Sequence, residues 1–276
     1  MHEASTLKPS ILFAAVLTFS SLALGQSQIQ QNAVAEVSSP DATTVCNVTF
    51  SSGTGTNATQ FCVTVNGNVA QFSVAGGELI AVNGVGEGYA ICDASNSTSY
   101  YDFAYAASPN WLSPTFTHSG NVVTVTRETN DGIWQLRQTI TNVPATASGP
   151  GAVKISMALK NLSNESRGAF IMRYADVNAD GDRTGNDFDY TLQTAYGLES
   201  HAGRGRGLGS TNNTFNPVFG QQAYTQSAPG GPNPCAAFES IAPQPFHGDG
   251  SIVQFWSVPA GGHNSSHTVV STYKPI

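Results

Sequence analysis

Short runs in which apolar and polar residues alternate are the feature that most restricts the fold of this chain. In the clearest run, Val153–Lys160, an apolar residue occupies every second position, so the apolar side chains face one side of an extended strand. Asn66-Gly67 separates two further runs, Cys62–Val65 and Val69–Val74, and predicts a hairpin with a type I′ turn. No window of about 12 residues keeps the 3.6-residue period of an amphipathic helix.

The runs together predict about 12–15 strands and no helix. Many short strands joined by Gly- and Asn-rich turns are typical of a sandwich or a barrel. We expect an all-β fold, a large two-sheet antiparallel β-sandwich with long surface loops. Residues 199–250 are expected to form the longest loop, because they contain the segments Gly203–Gly207 and Pro229–Pro234 and show little periodicity.

The first 25 residues have the pattern of an export signal. Lys8 precedes an apolar run from Ile11 to Leu24, and Ala23 and Gly25 are small residues where a signal peptidase would cut. The run is about 14 residues long, whereas a bilayer-spanning helix needs roughly 20. We therefore expect a signal peptide over 1–25, with an uncleaved anchor as the alternative. A polar linker over 26–42 and a single β-sandwich domain over 43–276 would then form a secreted, periplasmic or extracellular protein with no membrane span.

The charge of the chain restricts its partners. The formal net charge is -7, with 11 Lys and Arg against 18 Asp and Glu. An acidic chain repels phosphate groups, so nucleic acid and anionic membranes are not expected as partners. Carbohydrate or another extracellular protein remains as the expected partner class.

Four cysteines follow the signal segment: Cys46, Cys62, Cys92 and Cys235. An even number in an exported protein predicts two disulfides. Three pairings are possible. We favour Cys46–Cys62, because both lie in neighbouring short strands, and Cys92–Cys235 by elimination. A zinc site is a weaker interpretation, because no two of these cysteines form a Cys-x-x-Cys pair.

One segment, Asp176–Asp187, carries the pattern of a cation site. It reads D-x-N-x-D-G with an acid at the twelfth position. Calcium takes six to eight oxygen ligands, and alternate side chains of a curled loop point at a common centre. The predicted ligands are the side chains of Asp176, Asn178, Asp180 and Asp187 and the backbone carbonyl of Asp182. The alternative is an acidic turn that binds nothing, because Asp, Asn and Gly also favour turns.

Over these 12 residues the chain resembles the calcium loop of dockerin modules and of EF-hands. The resemblance departs at the eighth position, which is Arg183, and at the twelfth, where Asp187 is shorter than the usual Glu. The preceding segment, Ala169–Tyr174, reads as a strand rather than a helix, and there is one such loop where dockerins have two. The resemblance implies a calcium-binding loop between strands of another fold, not cohesin binding.

No catalytic residues are identified. His263 and His267 are four residues apart, but their Gly-rich surroundings indicate a turn; His247, Asp249 and Ser251 are close in sequence without forming a triad. A glycosidase needs two carboxylates roughly 5–10 Å apart, and the acids available for such a pair are Glu78, Glu87, Asp102, Glu128, Asp131 and Asp249. Several aromatic residues could stack on sugars, although aromatic residues in strands more often lie in the core: Trp111, Trp134, Trp256, Tyr100, Tyr101 and Tyr105.

These observations lead to two hypotheses. The first is an exported, non-enzymatic β-sandwich with a binding or structural role, stabilised by a calcium loop and two disulfides. The second is a carbohydrate-active enzyme or a lectin-like carbohydrate-binding module on the same scaffold. A concave sheet lined by exposed Trp or Tyr beside two close carboxylates would favour an enzyme, and a flat face with no convergent acids would exclude one.

Overall fold

A computed structural model describes the chain over residues 46–106, 110–199, 206–214, 222–226, 233–236, 241–242 and 244–276. The predicted signal peptide and the whole of the predicted linker therefore lie outside the described residues. Within them, no helix is long and apolar enough to cross a membrane.

The described residues form eighteen strands and two short 3-10 turns. In chain order the strands are β1 Val48–Ser52, β2 Thr59–Val63, β3 Val69–Val74, β4 Gly77–Glu78, β5 Glu87–Asp93, β6 Thr98–Phe103, β7 Thr115–Ser119, β8 Val122–Glu128, β9 Trp134–Val143, β10 Ala152–Asn161, β11 Arg167–Val177, β12 Asn186–Tyr190, β13 Thr194–Glu199, β14 Gly207–Asn212, β15 Gln222–Gln226, β16 Phe246–Gly248, β17 Gly250–Gly261 and β18 Ser266–Pro275. The 3-10 turns are Gly55–Asn57 and Ala179–Gly181.

These strands form three antiparallel sheets. The largest has nine strands in the order β16-β12-β13-β14-β18-β10-β9-β8-β7, the second has five in the order β15-β17-β11-β5-β6, and a small sheet is formed by β1-β2-β3-β4. The all-β sandwich predicted from the sequence is confirmed. The small third sheet was not foreseen, because alternation locates strands but does not say which of them share a sheet.

The five- and nine-stranded sheets face each other across the core. Trp256 on β17 is fully buried, and its Nε1 donates to Asn212 Oδ1 on β14 at 2.9 Å. Trp134 on β9 is also buried and donates to Asp93 Oδ2 on β5 at 3.2 Å. The inward residues of β10, among them Ile155, are buried as the alternation predicts. Each sheet therefore buries one face of alternating apolar side chains against the other sheet.

The β2–β3 hairpin forms as predicted, but with a different turn. Gly67 N donates to Thr64 O at 3.0 Å and Thr64 N donates to Asn68 O at 2.9 Å, so the connection is a three-residue loop. Gly67 has φ +90°, whereas Asn66 keeps a negative φ. The expected type I′ turn requires positive φ at both residues. The register also shifts beside Val63, which absorbs the extra residue of the longer loop.

Both disulfides join the favoured pairs. Cys46 and Cys62 have their Cα atoms 5.5 Å apart, and those of Cys92 and Cys235 are 5.0 Å apart. The first links the entry of the small sheet to β2. The second ties the segment around residue 235 to β5.

The expected long loop over 199–250 contains strands β14, β15 and β16. The sequence of β14, Gly-Leu-Gly-Ser-Thr-Asn, has neither the composition nor the alternation of a strong strand. It is held between β13 and β18 by ladders on both sides. A Cβ at Gly207 would overlap the Gly197 carbonyl, so the close strand contact here requires glycine. Tertiary pairing thus decides a strand that local propensity does not predict.

Candidate functional site

A buried ion pair of the five-stranded sheet is hydrogen-bonded to residues of the nine-stranded sheet. Arg173 on β11 and Glu87 on β5 point into the sandwich, and neither side chain is exposed (0% each). Arg173 Nε donates to Glu87 Oε1, and Arg173 Nη1 donates to Gln138 Oε1 at 2.5 Å. Tyr273 OH donates to the same Glu87 oxygen at 3.1 Å. Because Gln138 and Tyr273 belong to the nine-stranded sheet, the hydrogen bonds cross the interior.

A second buried ion pair lies between Arg127 on β8 and Asp102 on β6. Their side chains are 5% and 0% exposed. Arg127 Nη1 donates to both Asp102 Oδ2 and Tyr89 OH, the latter at 3.2 Å, and its Nε donates to Leu112 O at 3.2 Å. The guanidinium also lies 5.4 Å from the centre of the Trp111 ring, within the range of a cation–π contact.

The tip of the β2–β3 hairpin, residues 66–69, docks on both ion pairs. Its backbone and its Asn side chains are held by groups of the two large sheets. The hydrogen bonds run from Tyr89 OH to Asn66 O (2.9 Å), Gln138 Nε2 to Asn66 O (3.2 Å), Arg173 Nη2 to Gly67 O (3.1 Å), Val69 N to Glu87 Oε2 (2.7 Å), Asn66 Nδ2 to Asp102 Oδ2 (3.1 Å) and Asn68 Nδ2 to Asp102 O (3.2 Å). The small sheet is thereby anchored to the sandwich.

Arg127 and Arg173 organise this interior, and neither is among the site residues predicted from the sequence. A signal was present, because Arg173 interrupts Ala169–Tyr174, a run that reads as a fully buried strand. Arg is almost never fully buried unless it is paired. An Arg inside such a run therefore predicts a buried carboxylate, but the sequence does not say which one.

The six carboxylates considered for catalysis are all engaged in the fold. Glu87 and Asp102 form the buried pairs. The remaining acids have the following partners: Glu78 Oε1 accepts from Phe72 N (2.6 Å), Glu128 Oε1 from Gln135 Nε2 (2.8 Å), Asp131 from Thr129 Oγ1 (2.7 Å) and Tyr100 OH (2.6 Å), and Asp249 Oδ2 from Arg183 Nε (2.6 Å).

Burial and hydrogen bonding shift the pKa values of three of these acids. Burial raises the pKa of Glu87 above its ordinary value, although Arg173 opposes the shift. Burial also raises the pKa of Glu78, although the hydrogen bonds that it accepts from backbone N–H groups act to lower this pKa. At Asp131 burial acts in the same direction, but hydrogen bonds from Thr129 and Tyr100 outweigh it and hold the pKa of the carboxyl below its ordinary value.

The predicted calcium loop connects β11 to β12 and begins inside the protein. Asp176 is buried at 5% exposure, and its backbone pairs with Gly86 O and Ala81 N at 2.9 Å each. The Asp180 side chain is 6% exposed, and its φ of +56° turns the chain back at Gly181. Asn178 Oδ1 is buried and accepts no hydrogen bond from the described residues. The first three predicted ligands are thus oxygen-bearing side chains with buried oxygens.

The other two predicted ligands are placed differently. Asp182 Oδ1 accepts from Thr184 N at 2.9 Å and Gly185 N at 3.0 Å, and its backbone carbonyl accepts from Asn186 Nδ2 at 2.7 Å. The Asp187 side chain is 53% exposed and contacts His247 Nδ1 at 2.7 Å. Because side chains alternate along β12, the inward position next to the loop belongs to Asn186, which is fully buried.

A positively charged side chain, that of Arg206, lies beside the Asp180 carboxylate. Arg206 Nη1 lies 3.3 Å from Asp180 Oδ1. A Cβ at Gly77 would overlap the same oxygen, so the loop packs directly on β4. Within the described part of the chain, no group of three or more His, Cys, Asp or Glu side chains is arranged to hold a metal ion. Asp176, Asn178 and Asp180 nevertheless offer the hard oxygen donors that calcium prefers.

The histidines do not converge. His263 Nδ1 contacts Ser163 O at 3.1 Å in a turn, while His267 lies on β18 opposite Leu159. His247 pairs with Asp187 at the edge of the nine-stranded sheet, and both side chains are about half exposed. These positions give neither a metal site nor a triad among the described residues.

Most of the aromatic residues considered for sugar stacking lie in the core. Trp111, Trp134, Trp256, Tyr100 and Tyr105 are at most 7% exposed. Tyr101 is half-buried and stacks on Phe103. These residues therefore do not form a solvent-facing platform.

The nine-stranded sheet has a polar surface on the side away from the core. We call this surface the outer face; at its centre it is made by the outward residues of β8, β9, β10 and β18. These are Val122, Thr124, Thr126, Glu128, Gln135, Arg137, Thr139, Thr141, Val143, Lys154, Ser156, Ala158, Lys160, Ser266, Thr268, Val270, Thr272 and Lys274. Hydroxyl and cationic side chains predominate there, with one carboxylate, Glu128.

No protein family model matches the sequence, and no curated protein does. Among solved structures, the chain resembles a bacterial glucoamylase complexed with acarbose, at a TM-score of 0.55 and 5% sequence identity, over 89% of this chain and 33% of the other. It also resembles a putative aldose 1-epimerase from Escherichia coli K12, at a TM-score of 0.46 and 9% identity, over 83% of this chain and 99% of the other.

The chain therefore spans about a third of the glucoamylase chain that it matches. At these identities the likeness concerns architecture. It shows that the chain folds as a large antiparallel β-sandwich of the kind found in that part of the glucoamylase.

Proposed function

We propose that this protein is an exported β-sandwich that binds carbohydrate outside the cytoplasm without cleaving it. The observation that carries the proposal is the use of the carboxylates. The six acids considered for catalysis are committed to ion pairs and hydrogen bonds, whereas the outer face presents a broad polar surface. A binding role needs such a surface and no convergent pair of acids.

Several features support carbohydrate as the ligand class. Sugars present many hydroxyl groups, and the outer face presents threonine and serine hydroxyls, which both donate and accept hydrogen bonds. The sandwich architecture is shared with part of a glucoamylase that was solved with the oligosaccharide acarbose. The two disulfides favour an oxidising compartment, where extracellular polysaccharides are met.

The experiment that tests this function is affinity electrophoresis of the mature protein through gels that contain neutral or acidic polysaccharides. We expect retardation by at least one polymer and no release of reducing sugar from it. Depolymerisation would replace the binding role by an enzymatic one. Unchanged migration through every polymer would refute carbohydrate binding.

We further propose that the loop over 176–187 binds one calcium ion. Asp176, Asn178 and Asp180 would hold it, with the Asp182 carbonyl and water completing the oxygen ligands. Asp187 would join only if its side chain turned inward from His247. The buried Asn178 Oδ1 supports this proposal, because a buried polar atom without a hydrogen bond is costly unless a ligand satisfies it. The ion would order the loop and take no part in catalysis.

Thermal unfolding in excess calcium and in EDTA tests the calcium site. At a calcium concentration 100 times Kd, binding to the folded state alone adds about 2.7 kcal/mol. For a domain of this size that corresponds to a rise in Tm of about 5–11 °C. We expect the rise to vanish in the double variant Asp176→Asn, Asp180→Asn and to persist in Asp189→Asn, which removes an acid of β12 outside the loop. An equal Tm in calcium and EDTA for the unsubstituted protein would reduce the segment to an acidic turn.

A further inference from the structure

We propose that the outer face binds an acidic polysaccharide along a line of four cations. The line consists of Arg137 on β9, Lys154 and Lys160 on β10, and Lys274 on β18; we call it the cationic stripe. This inference rests on the proposed carbohydrate-binding function and specifies the ligand class and the surface.

The charges of the chain are strongly segregated. The chain has a net charge of -7, yet strands β9, β10 and β18 contain no Asp or Glu. Apart from Lys8, every lysine in the sequence lies on the cationic stripe. Arg137, Lys154 and Lys274 are exposed and Lys160 is half-buried. A cation cluster on an otherwise acidic protein creates a local positive potential that attracts anions to one surface.

The strand register fixes the shape of the stripe. Arg137 lies opposite Ala158, two positions from Lys160 along β10. Tyr273 lies opposite Val153, so Lys274 falls beside the start of β10, two positions from Lys154. The four cations therefore cover about eight residue steps, or roughly 26 Å at 3.3 Å per residue, within three strands that are about 10 Å across. This outline matches an extended polymer better than a single small anion.

The cations of the stripe are not neutralised within the protein. None of them forms an ion pair with a carboxylate of the described residues. The carboxylate of the outer face, Glu128, lies two strands from Lys160 and accepts a hydrogen bond from Gln135. The stripe therefore offers positive charge that an external anion can use.

Hydroxyl groups flank the cations. Thr141 and Thr272 lie on either side of Lys154, and Thr139 is opposite Ser156 between the two ends of the stripe. Thr272 Oγ1 is bonded to Asn213 Oδ1 at 2.6 Å, whereas Thr139, Thr141 and Ser156 make no side-chain hydrogen bond with the described residues. A ligand that carries carboxylates or sulfates together with hydroxyls matches this mixture, as an acidic polysaccharide does.

The same surface is less suited to nucleic acid. Single strands are bound by stacking bases on aromatic side chains, and the outward residues of β9, β10 and β18 include no aromatic ring. The net charge of -7 also opposes the high phosphate density of a duplex. We therefore assign the stripe to a glycan, and a nucleic acid serves as a control polyanion.

Binding to immobilised polygalacturonate in calcium-free, low-salt buffer tests the assignment, with its methyl ester as the matched neutral polymer. We expect the protein to bind the acid form and not the ester. The triple variant Arg137→Gln, Lys154→Gln, Lys160→Gln should bind about tenfold more weakly or worse, because exposed ion pairs contribute up to about 1 kcal/mol each. Lys154→Gln alone should weaken binding about threefold.

Arg183→Gln is the control, since it removes an exposed positive charge (61% exposed) away from the outer face. It should leave the affinity unchanged, and all variants should keep the Tm of the unsubstituted protein within a few degrees. The assignment would be overturned if the triple variant bound as tightly as the unsubstituted protein, or if Arg183→Gln lost as much affinity as the triple variant. Binding to duplex DNA as tight as binding to polygalacturonate would also overturn it. Equal binding to the methyl ester would also overturn it while leaving carbohydrate binding intact. If no polymer in the electrophoresis panel retards the protein, the proposed function itself fails.

Discussion

Replacing Gly67 by alanine measures how closely the hairpin tip docks on the buried ion pairs. Gly67 has φ +90°, a conformation that residues with a Cβ rarely adopt. A Cβ at this position would lie 2.6 Å from Gln138 Nε2 and 3.1 Å from Gln138 Cδ. Gln138 in turn accepts from Arg173 and donates to Asn66, so it cannot move aside without loosening those bonds.

The expected cost has two parts. A left-handed backbone at a residue with a Cβ costs roughly 1–2 kcal/mol. Overpacking at a filled site adds about 1–3 kcal/mol, because Gln138 must shift within the interior. The sum is about 2–5 kcal/mol. At about 2–4 °C per kcal/mol for a domain of this size, Tm should fall by roughly 4–20 °C.

Gly76→Ala is the matched control for this measurement. Gly76 has φ +82°, and a Cβ there would meet nothing within 4 Å. It therefore reports the backbone cost alone, and we expect it to lose only about 1–2 kcal/mol. Thermal unfolding of both variants is followed by near-ultraviolet circular dichroism. The difference between their losses of Tm measures the contribution of the contact between the hairpin tip and Gln138. An equal loss of Tm in the two variants would refute the close contact between the tip and Gln138.

Two further predictions concern buried charge. Arg173→Met should lower the free energy of unfolding by about 3–5 kcal/mol at pH 7, because it leaves Glu87 buried without its cation. In chemical denaturation, the double variant Arg173→Met, Glu87→Gln should recover part of this loss. A double variant that is less stable than Arg173→Met would contradict the pairing. Glu78 has a raised pKa in the folded state, so its contribution to stability is present below its unfolded pKa and is lost as pH rises through the folded pKa. Glu78→Gln should therefore become more stable relative to the unsubstituted protein as pH rises from about 4 to 8, and a constant difference in Tm would contradict this assignment.

The two buried ion pairs also hold the small sheet in place. Two charged pairs inside a sandwich are costly to desolvate, and well-packed apolar residues often stabilise a core as well or better. Here they hold the hairpin tip by its backbone and by Asn66, which an apolar core would not do. Their role is thus to fix the position of β1–β4 on the sandwich.

The sequence determined much of the fold. Alternation of apolar and polar residues located strands such as β10, since a residue in a strand shows one face to the core and the next to solvent. Four cysteines in a chain that carries the pattern of an export signal predicted two disulfides, and their place in neighbouring short strands favoured Cys46–Cys62. The D-x-N-x-D-G pattern located a loop whose first three predicted ligands carry buried oxygens. These features are local, and local features can be read along the chain.

Tertiary structure decided the rest. Strand β14 forms because β13 and β18 bond it on both sides, although its own composition does not favour a strand. The direction of Asp187 follows from its place on β12, where the register turns it toward His247 and away from the loop. The cationic stripe arises because strand order sets β18 beside β10 and β9, which brings Lys274 next to lysines more than a hundred residues earlier. Strand order and register depend on long-range packing of sheet faces, and a periodic pattern in one strand carries no information about its neighbours.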